Sequence, residues 1–68
     1  SMREITISKR ELEIEHAIDK QPLSALAAKY GVSTTDLKDS MRANNIKVRN
    51  WKEEETKEEE SYKINIVA

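Results

Sequence analysis

The 68-residue chain has no cysteine and no phenylalanine, and only one glycine and one proline. Without cysteine there is no disulfide framework and no thiolate chemistry. Three aromatic residues, Tyr30, Trp51 and Tyr62, serve the whole chain, and 37% of residues are hydrophobic. That allows one modest core and one domain over residues 1–68. No apolar run approaches the roughly 20 residues that cross a bilayer. No signal peptide is visible, Ser1-Met2 reads as a protease remnant before an initiator methionine, and the expected compartment is the cytoplasm.

Strong charge of one sign is missing too. The net charge is −1, but it is unevenly spread. Residues 1–51 carry nine Lys/Arg against seven Asp/Glu, whereas residues 52–60 carry two Lys against six Glu. The chain is weakly basic with one acidic block. That is a fainter positive field than dedicated nucleic-acid binders show.

What is present is local order. Arg3–Ser8 alternates Ile5 and Ile7 with Thr6, which predicts a strand. Ser8-Lys9-Arg10-Glu11 is a capping box, so a helix starts at Ser8 and runs to about Lys20. Ile14, Ala17 and Ile18 would line one face, with Leu12 pointing nearly the opposite way. Apolar groups on two sides suit a sandwiched helix or a dimer contact. Gln21-Pro22 ends it. A second helix spans about Pro22–Tyr30, Gly31 turns the chain in the left-handed conformation, and Val32 plugs the corner. Ser33 caps a third helix, about Thr34–Asn44, that buries Leu37, Ser40 and Met41. Asn44-Asn45 closes it. Ile46 and Val48 alternate with Lys47 and Arg49, and Ile64 and Ile66 with Lys63 and Asn65. These two runs are expected to pair as a hairpin and to take up the first strand. The expected class is α+β: a three-helix core with a small antiparallel sheet, in the order β-α-α-α-β-β. Lys52–Glu60 would be a solvated loop at the hairpin tip, or else a charged helix.

Leu23–Arg42, LSALAAKYGVSTTDLKDSMR, carries Leu26-Ala27 before the turn, Gly31-Val32-Ser33 in it and Leu37 after it. In these residues the chain resembles the helix-turn-helix family. The flanking strands make the resemblance that of a winged helix. It covers 20 of 68 residues, and it departs at Ser40, where the family usually has an aliphatic residue. The resemblance implies a small bacterial or phage regulator that occupies double-stranded DNA as a dimer. By position, Ser33, Thr34 and Thr35 would meet phosphate or a thymine methyl. Lys38 and Arg42 would reach guanine or phosphate. Lys47, Arg49 and Lys63 share parity in the expected hairpin and would give it a basic outer face for the backbone. Against them stands the bland reading of a solvated helix face packed on a small core.

His16 is the only histidine, without a second metal ligand at helical spacing, and a surface or partly packed role is the simpler reading. No glycine-rich phosphate loop and no nucleophile–base arrangement occurs, so neither an enzyme nor a cofactor is expected. One further reading stays open: a protein-interaction module, an inhibitor or accessory domain, that uses acidic 52–60 as its contact surface.

Overall fold

A computed structural model describes residues 3–51 and 62–68. Strand β1 (Arg3–Ser8) leads into helix α1, which is α-helical over Lys9–Glu13 and π-helical over Ile14–Ile18. Helices α2 (Leu23–Tyr30) and α3 (Thr34–Ala43) follow, and strand β2 (Tyr62–Val67) completes the order. The class is mixed α+β, as expected.

Local signals in the sequence set the boundaries. The Ser8 side chain accepts from the Glu11 amide at 3.3 Å, and that of Ser33 from the Asp36 amide at 3.0 Å. Each helix then ends on a residue with positive φ: Lys20 (57°), Gly31 (73°) and Asn45 (59°). At each end an amide reaches far back to satisfy a terminal carbonyl. Gln21 N donates to Glu15 O (3.0 Å), Val32 N to Ala27 O (3.0 Å) and Ile46 N to Met41 O (2.8 Å). Glycine serves one of these three sharp ends. Lysine and asparagine serve the other two despite a side chain that resists this conformation.

The sheet differs from expectation. It has two strands, and they run parallel, with Ile5 opposite Ile64 and Ile7 opposite Ile66. Of the three alternating patterns, Arg3–Ser8 and Tyr62–Val67 are strands and Ile46–Arg49 is not, so the antiparallel hairpin between Ile46–Arg49 and Tyr62–Val67 does not form, and neither does the winged order. Ile46–Trp51 lies outside the sheet, and its backbone is tied elsewhere. The Ile46 amide closes α3, and the Arg49 amide donates to His16 Nε2 at 2.9 Å. With those donors taken, β2 pairs with the other free alternating segment, β1. A parallel pair needs a long crossover, which the three helices supply.

One apolar cluster holds the elements together. Ile7, Leu12, Leu23, Leu26, Ala27, Val32, Leu37, Met41 and Ile46 are buried in it, with Ile5, Tyr30, Val48, Ile64 and Ile66 packed around them. Helix α1 lies on β1 and, through its π-helical half, on α2; α2 lies on α3, and α3 on β2. Among the described residues, no helix is long and apolar enough to cross a membrane.

The face that α1 buries is not the one hydropathy selects. Leu12, Glu15 and His16 point inward, at the i, i+3, i+4 spacing of one helical face. Ile14 is 39% and Ile18 71% exposed.

Candidate nucleic-acid interface

Helices α2 and α3 are joined by a tight corner: eight residues, a three-residue corner, ten residues. The corner is built as the sequence suggests. Gly31 is left-handed and Val32 is buried beneath it. A Cβ at Gly31 would meet nothing within 4 Å, so only the backbone conformation demands glycine there.

From this corner α3 presents two sides. Leu37 and Met41 are buried. Thr35, Asp39 and Arg42 are exposed along the opposite side, while Thr34, Lys38 and Ser40 are half-buried at its margins. Thr35, Lys38, Asp39 and Arg42 lie three and four residues apart and form one continuous stripe. The stripe combines donors that suit phosphate or base edges with one carboxylate that repels phosphate. Two bases, Lys38 and Arg42, are balanced on α3 by Asp36 and Asp39.

The remaining site candidates are dispersed. Ser33 is only 7% exposed, and its hydroxyl oxygen is occupied in capping α3. Lys47 is exposed in the extended segment after α3. Arg49 is half-buried and anchored by its backbone to His16. Lys63 stands on β2, where its ammonium lies 3.8 Å from Glu4 on β1. The basic outer face expected from hairpin parity for Lys47, Arg49 and Lys63 therefore falls away with the hairpin. The acidic stretch Lys52–Glu60 lies outside the described residues.

Two polar clusters that hydropathy does not reveal hold the unit in place. His16 is fully buried at the inner face of α1. Its Nε2 accepts the Arg49 amide, so its Nδ1 carries the hydrogen and donates to the Gln21 carbonyl at 2.8 Å. The backbone carbonyl of His16 accepts from the Trp51 indole at 2.6 Å, and the two rings meet edge to face at 6.3 Å. Lys20 Nζ sits 5.8 Å from the centre of the Trp51 ring, which favours the strained helix end at Lys20. One histidine thus joins the end of α1 to the segment that follows α3.

The second cluster joins α1 to α2. The Glu15 carboxylate accepts from both Lys29 Nζ and the Tyr30 hydroxyl. Burial, and then the bond to Glu15, pushes the Tyr30 phenol above its ordinary range. Lys29 is raised as well, chiefly by its bond to Glu15. No buried side-chain nitrogen or oxygen among the described residues lacks a partner. These residues leave one sequence trace: a Glu-His pair three and four positions after a leucine that itself faces the core.

No protein-family model, curated protein or solved structure matches the chain. Among the described residues there is no group of three or more His, Cys, Asp or Glu placed to hold a metal ion.

Proposed function

We propose that this chain is a small, non-catalytic DNA-binding regulator that lays α3 in the major groove and acts by occupying its site. The observation that carries the reading is the outward stripe Thr35–Lys38–Asp39–Arg42 on a helix whose other side is fixed in the core. A left-handed glycine and a capping serine set the angle at which that helix leaves α2. Arg42 then reads guanine or grips phosphate, Lys38 contacts the backbone, and Thr35 supplies a hydroxyl and a methyl. Lys47, exposed just past α3, adds a phosphate contact. The helix-turn-helix resemblance supports the same roles.

A titration of labelled duplex DNA at two salt concentrations tests this. Binding should weaken steeply with salt, and Lys38→Ala/Arg42→Ala should lower affinity by about tenfold or more. Absence of binding at low salt overturns the proposal.

The balance of charge on α3 favours a second reading, in which the same stripe contacts a protein. Helices that bind DNA through phosphate usually carry excess positive charge. In that reading Lys52–Glu60 contributes the partner surface. Deleting residues 52–60 distinguishes the two, because DNA binding should hold or improve while capture of a protein partner should be lost.

A further inference from the structure

We propose that His16 is a proton-operated latch: a proton taken up at Nε2 releases residues 47–51 from α1 and leaves the helical core in place. Two hydrogen bonds tie this segment to α1, and both end on His16. The Arg49 amide donates to Nε2 at 2.9 Å, and the Trp51 indole donates to the backbone carbonyl at 2.6 Å. Ile46, just before the segment, is fixed separately, by its amide to the Met41 carbonyl and by burial in the core. None of residues 47–51 is fully buried, and among them only Val48 packs against the core cluster.

The latch holds only while Nε2 offers a lone pair. Nδ1 already carries its hydrogen to the Gln21 carbonyl at 2.8 Å, so a further proton can go only to Nε2. There it turns the acceptor into a donor facing the Arg49 N–H, and it places a full charge on a ring with no exposed surface. His16 has no ion-pair partner among the described residues. On α1, Glu11 and Glu13 are exposed, the Glu15 carboxylate is taken by Lys29 and Tyr30 of α2, and Asp19 attracts Lys29. On β1, Glu4 lies beside Lys63. The charged side chains on the Trp51 side, Lys20, Lys47 and Arg49, are all positive. The charged ring gains solvation once 47–51 moves away. Histidine is the side chain suited to such a change near neutral pH, and loss of the proton restores the acceptor. Leu12, Leu23, Leu26, Leu37 and Met41 pack without this segment, so the release is local. The latch does not depend on what α3 binds.

His16 and Trp51 are the chain's one histidine and one tryptophan, so each can be followed without overlap. NMR of the imidazole, the indole and the backbone amides of the whole chain, from about pH 8 to 4.5, tests the latch. The imidazole should take its proton in one step. At the same midpoint the Arg49 amide should lose about tenfold or more of its protection from exchange, and the Trp51 indole signal should shift. The amides of Leu26 and Leu37 should stay protected through that step. In His16→Gln, which keeps an acceptor but gains no proton, Arg49 and Trp51 should lose this pH dependence. A ring that is protonated while Arg49 and Trp51 keep their signals overturns the proposal. So does a ring that stays neutral until Leu26 and Leu37 lose protection with it, or a pH step that survives in His16→Gln.

Discussion

Helix α1 and the α2–turn–α3 unit solve the same problem in opposite ways. In α2 and α3 the buried positions are mainly aliphatic, with Leu23, Leu26, Leu37 and Met41 inside and charge outside. Helix α1 turns a glutamate and a histidine inward and two isoleucines outward. The difference shows that burial follows the availability of partners as well as hydropathy. Glu15 is tolerable inside because Lys29 and Tyr30 come to it from α2. His16 is tolerable because Gln21, Arg49 and Trp51 meet its ring and carbonyl from two other segments. In α2–turn–α3 the fold rests on non-directional packing. In α1 a few directional bonds, each costly to break, add to the packing of Leu12.

That contrast can be broken most sharply at His16. His16→Ala leaves the Arg49 amide without its acceptor and opens a cavity, so it should cost about 2–4 kcal/mol. The whole domain is expected to be stable by only roughly 3–10 kcal/mol. His16→Gln, which returns an acceptor near the Nε2 position, should recover about 1 kcal/mol of that loss. Urea denaturation measures both. Equal losses for the two variants would mean that packing, and not the bonds, holds α1.

A smaller effect is expected on the other side of the comparison, at Gly31. Gly31→Ala should cost about 1–2 kcal/mol, all of it from the left-handed backbone. Open space around the new Cβ means there is no clash to add. Gly31→Asn should cost less, since asparagine already accepts that conformation at Asn45. Urea midpoints for the two variants would show it.

Alkali gives the gentlest probe. Tyr30 and Lys29 both hold their protons more tightly in the folded chain, above ordinary values of 10.0 and 10.5. The unfolded chain therefore releases protons first as pH rises. The stability that depends on these protons is complete below pH 10 and declines above it. The slope should flatten in Tyr30→Phe/Lys29→Gln, read from urea midpoints at successive pH values. An unchanged slope would show that the Glu15 cluster does not tie α1 to α2.

Local chemistry was the legible part of this sequence. The serine caps at Ser8 and Ser33, the left-handed Gly31 and the asparagine pair after α3 each act within a few residues, and each stands where the pattern puts it. The two strands are equally readable as strands. Their pairing is not, because alternation in Ile5/Ile7, Ile46/Val48 and Ile64/Ile66 looks the same whichever two segments pair. The choice turns on His16, which takes the Arg49 amide across 33 positions of chain. The face of α1 was hidden for a similar reason. Its inward residues are polar, and their partners lie far away in sequence. On α3 the outward stripe was readable, whereas the basic surface on a hairpin depended on a pairing that does not occur.

The parallel sheet carries a kinetic consequence. Every paired position in β1 and β2 is 59 residues apart along the chain, as in Arg3 with Tyr62 and Ser8 with Val67. Bringing such segments together costs loop-closure entropy before any ladder bond forms. The three helices and their caps rely on neighbours and can form early, on the fast timescale of local contacts. Zipping of β1 to β2 is then expected as the final event, after the arrangement of α1, α2 and α3. Opening should begin at the same place, so the amides of the two strands should exchange with solvent before those of α2 and α3.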